Sequence, residues 1–363
     1  MDILGRYVAV DDKCAWPNLT LMPDGSIVAT IFSEPTHHGW EGDTECWVSR
    51  DGGRNWSFLG VPAPHEPGTN RINAAAGLTQ SGAFVALCNG HRDCPPPPPR
   101  MKHFGDSRNN SLVEEKSSSF ENLEPWVCRS EDGGKEWSHC VGITIPSELS
   151  NATPFGDIVQ LPDNRLAASC YCYHSNDEMK SSAWIFFSED DGRKWGDSCP
   201  IAVGTYNESD LLHLGDGHLL AVIRTDKPIW RPGIKKHVEN LEIFASDDSG
   251  RTWVCRGSVS LPKQCPGHLC RLKDGRILLT YGVRNQGMLG VCARVSSDEG
   301  LTWDAPRVLF STEARRVSSD PSHVDGGYPS SVQLEDGILV TAYYSSSIPM
   351  HQRYHMGVVR WEE

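Results

Sequence analysis

The chain has 363 residues and a formal net charge of −13, from 34 Lys and Arg against 47 Asp and Glu. That balance argues against a nucleic-acid partner, because phosphate backbones are held by clustered basic side chains and no basic stripe occurs. No apolar run reaches the roughly eighteen residues of a membrane span, and the first residues lack the basic and apolar regions of a signal peptide, so the sequence as it stands is expected to be cytoplasmic, or secreted if a leader was trimmed.

Taken in chain order, six apolar stretches each fold about a turn dipeptide: Asp24-Gly25, Ser81-Gly82, Asp163-Asn164, Asp216-Gly217, Asp274-Gly275 and Asp336-Gly337. Each pair suits a two-residue hairpin turn. Interleaved with them, the pattern Ser-x-Asp-x-Gly-x-x-Trp recurs five times, ending at Trp56, Trp137, Trp195, Trp253 and Trp303. In each copy the Asp is expected to accept turn amides, the Gly to permit positive φ and the Trp to be buried as an anchor. Six hairpins predict an all-β fold, a six-bladed propeller with four antiparallel strands per blade, as one domain over residues 1–363. The missing sixth copy is expected because the chain stops before it. Blade two carries an excess at residues 91–122, including Pro95 to Pro99, whose composition suits a long loop over the active face. Thirteen cysteines lie scattered along strands, which suits buried free thiols. No His and carboxylate cluster has ligand spacing, so neither a metal nor another cofactor is expected.

A four-stranded meander puts its first-to-second and third-to-fourth turns on one face. Chemistry is therefore expected on the other, where strand one begins and strand two ends. Entering first strands are Trp16, Arg71, Glu208, His268 and Tyr328; leaving second strands are His37, His38, Tyr173, Arg224, Arg284 and Tyr343.

The repeated box and the six hairpins resemble the sialidase (neuraminidase) superfamily, over essentially the whole chain. The resemblance implies a Tyr nucleophile with a Glu partner, an Asp acid/base and arginines that hold a substrate carboxylate. A neutral nucleophile suits an anomeric carbon that bears a carboxylate, since an anionic one would be repelled. Asn207-Glu208, with Arg224 after it, is similar to the family's Glu-to-Arg blade, and Gly326-Gly327-Tyr328-Pro329-Ser330 to its tyrosine segment. The sequence departs from the family at Ala15-Trp16-Pro17, which stands where the first arginine is expected, so that arginine is absent. Arg284 is the nearest match to the third arginine, and Asp43 is chosen as acid on spacing from Glu41, Asp43 and Glu45.

The resulting expectation is an exo-glycosidase that removes a terminal acidic sugar from a glycan with retention. Tyr328, Glu208 and Asp43 would be catalytic, and Arg224, Arg284, Arg71, Trp16, His37, His38, His268 and Tyr173 would hold substrate. Two alternatives stay open: a hydrolase or lyase of plant or algal polysaccharide that uses histidines, and a propeller that binds carbohydrate without catalysis. Structural ion pairing of the arginines and simple packing of Tyr328 also stay open.

Overall fold

The computed structural model describes residues 1–13, 16–36, 39–97, 121–175, 177–231, 234–285, 288–312, 326–345 and 354–363. His37, His38 and most of the expected blade-two loop lie outside the described residues. β1 (Asp2–Asp11) comes first. β2 (Asn18–Leu21), β3 (Ile27–Phe32), β4 (Thr44–Ser49) and β5 (Ser57–Ala63) then form an antiparallel meander. β6 (Thr69–Leu78), β7 (Phe84–Arg92), β8 (Trp126–Ser130) and β9 (Ser138–Val141) form another, and β10 (Thr153–Gln160), β11 (Leu166–His174), β12 (Asp177–Ser188) and β13 (Gly196–Val203) a third. These last two join edge to edge through a short parallel contact, Gly156 beside Ala75 and Asp157 beside Ala76, giving one eight-stranded sheet. β14 (Tyr206–Gly215) and β15 (His218–Thr225) precede an inserted hairpin, β16 (Lys227–Arg231) with β17 (Ile234–Val238), before β18 (Leu241–Ser246) and β19 (Val254–Ser258) complete their sheet. β20 (Gly267–Arg271), β21 (Ile277–Asn285), β22 (Met288–Ser296) and β23 (Arg307–Thr312) follow. β24 (Gly326–Gln333), β25 (Leu339–Ser345) and β26 (His355–Glu362) form the last sheet, and β1 is its outer strand.

The described residues are thus all-β, in a propeller-like arrangement. Inner strands touch in a closed ring: β2 meets β6, β6 meets β10, β10 meets β14, β14 meets β20, β20 meets β24, and β24 returns to β2. Strands such as β3 and β25 are buried at every residue, because sheets cover both of their faces. At the periphery β9 and β19 are exposed at every residue.

The turns differ from expectation at five of six places. Only Asp216-Gly217 is a two-residue turn, with Gly215 paired to His218 and φ of 51° and 79° at the two central residues. Elsewhere a β-turn carries one further residue: Gly25 N–H donates to Met22 O while Met22 N–H donates to Ser26 O, and four other turns repeat this. The glycine there has φ near 82–89°, or Asn164 69°, which accommodates the bulge. The five box motifs form as expected: Asp51 Oδ1 accepts the amides of Arg54 and Asn55 at 3.0 and 2.9 Å, and Ser49 Oγ accepts from Gly53 N–H at 2.8 Å. Each box Trp donates its indole N–H to the box glycine's carbonyl, at 2.9–3.2 Å. Burial of the anchors is a correction, since only Trp195 is fully buried and the other four are half-buried on the rim. The sixth box is missing for a topological reason: the outermost pair of the last sheet is β26 with β1, so no tight turn connects them.

Candidate functional site

Four side chains from three sheets meet where first strands begin and second strands end. Glu208 stands near the start of β14, Arg224 near the end of β15, Arg284 near the end of β21 and Tyr328 near the start of β24. The Tyr328 hydroxyl donates to Glu208 Oε1 at 2.6 Å. Arg224 Nη1 donates to Glu208 Oε2 at 2.7 Å and lies 3.5 Å from the Tyr328 hydroxyl, and its Nη2 donates to Glu239 at 3.0 Å. The Arg284 guanidinium lies over the Tyr328 ring, 5.2 Å from its centroid, a cation–π contact. Among the described residues no carboxylate is paired with Arg284, and its buried Nε lacks a hydrogen-bond partner.

Local backbone explains how Tyr328 reaches this place. Its φ is +50°, uncommon for a bulky side chain, and it follows two glycines that also have positive φ. A Cβ on Gly327 would come within 3.1 Å of the Gly282 Cα, so the approach of β24 to β21 requires glycine there. The ring is held edge-on by Trp16 at 6.3 Å and Phe155 at 6.0 Å, with Tyr344 at 5.4 Å.

Electrostatics sort the roles. Burial pushes the Glu208 carboxyl up, but Arg224, the Tyr328 hydroxyl and Arg284 together outweigh it and hold the group below the usual carboxylate range. Burial, then the Glu208 charge, pushes the Tyr328 phenol well up despite both arginines. The phenol is therefore the proton donor and the carboxylate the acceptor. Such a phenol can attack an electrophile only as Glu208 takes its proton.

The other expected residues spread around this centre. Tyr173 is near enough for the Glu208 charge to help raise its phenol, after burial. Trp16, buried, packs behind Tyr328. Arg71 stacks on Trp126 at 3.6 Å and donates to Glu124 O at 2.9 Å, within its own meander. Asp43 is engaged with His65: His65 Nδ1 and the His65 amide stand 2.6 and 2.7 Å from Asp43 Oδ1. His268 is buried in a central cavity lined also by Trp16, Asn18, Phe155, Asp210 and Tyr328. Its Nδ1 faces Ser331 N–H at 3.3 Å and its Nε2 lies 3.5 Å from Asp157 Oδ1; burial pushes the imidazole down, but the Asp210 and Asp157 carboxylates outweigh it and raise the ring to about 9.

Sequence reasoning missed three partners, Glu239, His65 and Asp210. Glu239 and His65 sit where a third strand begins and where a fourth ends, on the same face as the starts of first strands and the ends of second strands. Asp157 and Asp210 come together with His268, their ligand atoms within 4.8 Å of one another, although they stand on three sheets. A metal does not suit this trio. Asp210 Oδ1 and Oδ2 accept Asp157 N–H and Leu269 N–H at 2.8 and 2.7 Å, and the two carboxylates raise His268 to about 9, so the ring holds a proton where a metal would need a lone pair. The trio ties neighbouring sheets together.

The BNR repeat-like domain family matches residues 108–341, well over half of the chain. The chain belongs to that family. It is a sialidase-like BNR-repeat propeller, and solved structures of this shape support the fold. A Dyadobacter fermentans protein of unknown function is 20% identical with a TM-score of 0.75, covering 99% of this chain and 98% of that one. The Hadza microbial sialidase Hz136 is 15% identical with a TM-score of 0.68, over 98% of this chain and 68% of its own. Trypanosoma rangeli sialidase, solved with the inhibitor DANA, is 15% identical with a TM-score of 0.63, over 97% of this chain and 55% of its own. At these identities the likeness concerns the fold. No curated protein matches this BNR-repeat sequence.

Proposed function

We propose that this chain is a six-bladed propeller glycosidase that releases a terminal acidic sugar from a glycan with retention, Tyr328 acting as nucleophile and Glu208 as its base. The blade count takes the eight-stranded sheet as two blades, since its halves share only two residue pairs. The observation that carries the chemistry is the 2.6 Å bond from a buried phenol to a carboxylate held ionised by Arg224. A packing tyrosine needs no such pair.

Substrate charge follows from Arg284. Arg224 already spends its Nη atoms on Glu208 and Glu239, so it organises the base and is poorly placed to grip a second anion. Arg284 faces the same phenol with no carboxylate partner among the described residues, which suits a bidentate bond to a sugar carboxylate. With the anion beside the reacting carbon, a neutral phenol avoids the repulsion an attacking Asp or Glu would meet.

The test begins with a panel of aryl glycosides of acidic sugars, sialic and uronic. On whichever is cleaved, Tyr328→Phe is expected to abolish turnover while leaving the fold intact, because ring and packing remain. Glu208→Gln should cost roughly 10²–10⁴-fold in kcat. Turnover by Tyr328→Phe at the parent rate would end this reading.

A further inference from the structure

Glu208 and Tyr328 share a backbone irregularity. Glu208 falls in the irregular step of β14 between Tyr206 and Ser209, and Tyr328 in that of β24 between Gly327 and Ser330. A bulge re-aims a side chain and interrupts the ladder, so regular strand pairing does not by itself account for the 2.6 Å bond between them. Just beyond the two bulges, Asp210, Ser330 and Ser331 are held sideways instead.

Followed around the propeller axis, these ties close on themselves. Ser330 Oγ accepts Leu19 N–H at 2.9 Å, joining β24 to β2. Asn18 Nδ2 donates to Gly156 O at 2.9 Å and to Asp157 Oδ1 at 3.1 Å, joining β2 to β10. The Asp210 carboxylate accepts Asp157 N–H and Leu269 N–H, joining β10 through β14 to β20. Ser331 N–H faces His268 Nδ1, which brings β20 back to β24. A Cβ on Gly156 would stand 2.5 Å from Asp210 Oδ1, so glycine lets the belt close there. Tyr328 sits against this belt: Asn18, Asp210, His268 and Tyr328 line one cavity of about 20 Å³, room for roughly one water molecule, so little slack separates the belt from the ring.

His268 gives the belt a charged centre. Two carboxylates face it, Asp210 from β14 and Asp157 from β10. The other strands against it offer neutral groups: Asn18 of β2, Thr280 as its partner on β21, Ser331 and Tyr328 of β24, and the buried thiol of Cys270 on its own strand. Burial opposes the imidazolium, the two carboxylates prevail, and the ring is raised to about 9; burial also raises Asp210, which the imidazolium opposes. The folded value lies above the unfolded one near 6.5, so this stabilisation is complete below about pH 6.5 and is lost as pH rises through 9.

We propose that Asn18, Asp157, Asp210 and His268 are positioning residues, a belt round the propeller axis that seats the Tyr328 phenol against Glu208. Its consequence for catalysis rests on the glycosidase reading above. Loss of the His268 proton leaves two neighbouring carboxylates uncompensated, and the belt loosens beneath the phenol.

The experiment has two arms, both on the whole protein. The first needs no substrate: ¹³C NMR of the tyrosine Cζ resonances, with Tyr328 assigned by its loss in Tyr328→Phe, reads the bond to Glu208. His268→Gln and Asp157→Asn are each expected to move that resonance in the direction in which Glu208→Gln moves it, whereas Trp253→Ala, a rim change that weakens the fold alone, leaves it in place. A resonance unmoved in both belt variants overturns the proposal. The second arm is kinetic, on whichever glycoside is cleaved, well below the melting temperature. His268→Gln should lower kcat about 10²-fold with KM little changed, as a displacement of about 1 Å would. Parent kcat should fall as pH rises through about 9; that fall should be absent from His268→Gln and moved to lower pH in Asp157→Asn, where one carboxylate fewer holds the proton. An alkaline limb in the same place in all three, or a lowered melting temperature with kcat unchanged, would reduce the belt to a structural tie. Should His268→Gln fail to fold, Asp157→Asn, which keeps the shape of its side chain, decides both arms. Tyr328→Phe with parent turnover would reject the nucleophile, while the resonance arm judges the belt by itself.

Discussion

At the scale of single residues, the site separates two arginines that the sequence treats alike. Arg224 is engaged by two carboxylates, and Arg284 by a ring face. Substitution should therefore split their kinetic signatures. Arg284→Met is expected to raise KM for an acidic sugar by at least tenfold with a smaller change in kcat, whereas Arg224→Gln should act mainly through Glu208. The sign follows from Glu208, whose carboxyl burial raises and Arg224 lowers, the lowering prevailing. The proposed mechanism needs the ionised carboxylate, so the acid limb of kcat/KM in the parent is expected below the usual carboxylate range near 4.3. Removing the Arg224 cation leaves burial to dominate, and the limb should move to higher pH. A pH profile of Arg224→Gln with an unmoved acid limb would show that Glu208 does not set it. The same depression contributes stability that is present above the unfolded carboxyl pKa and lost as pH falls through the lower folded value.

At the scale of elements, the box turns and the inner strands hold the blades in different ways. Asp51 and Asp248 are each lowered to about 2; slight burial opposes this, and hydrogen bonds from Asn55 in one case and Thr252 in the other lead the lowering. Their stabilisation is complete above about pH 4, the range of an unfolded Asp, and is lost as pH falls through 2, so thermal melts should lose ground steadily across that window. Deeper in, Asp210 holds amides from two neighbouring sheets, and Asp210→Ala leaves two N–H groups buried and unpaired at about 1–3 kcal/mol each. Denaturant melts should show that loss clearly. They should also rank the anchors: Trp195→Ala, fully buried, costs about 3–5 kcal/mol, and Trp253→Ala, half-buried, costs less. The boxes were legible in the sequence because the hydrogen-bonding residues of each lie within eight positions. Burial of their tryptophans was not, because it depends on which sheet packs over each turn. Turn length was misread for the related reason that Asp-Gly suits both a two-residue turn and a bulged one. Glu208 and Tyr328 could be located from their segments, but the Asp43–His65 and Arg224–Glu239 pairs could not, since each joins connections whose approach only the fold determines.

At the scale of the whole molecule, the last sheet is completed by one strand from the other end of the chain. β1 pairs with β26 from Asp2 opposite Glu362 to Asp11 opposite His355, with irregular steps at Ile3/Gly5 and Val8/Val10. It grips both neighbouring sheets as well: Arg6 Nε donates to Leu309 O at 2.6 Å on one side, and the Tyr7 hydroxyl donates to Gly53 O in the first box on the other. Val10 is buried in the cluster that also holds Trp16, Tyr328 and Tyr344, so the strand that completes the last sheet also backs the candidate nucleophile. Without β1 the edge of β26 would offer unpaired backbone groups to solvent, and the last sheet would lose its outer cover. Deleting residues 1–11 is accordingly expected to lower the melting temperature sharply, to broaden the transition and to promote association through the bare edge. Activity should fall together with stability, because the packing behind Tyr328 loosens. A synthetic peptide of residues 1–13 added in trans should restore part of both, since the alternation of exposed and half-buried positions from Asp2 to Tyr7 specifies its register on the vacated edge. A deletion variant that melts at the parent temperature would show that the six inner-strand contacts hold the ring without this strand.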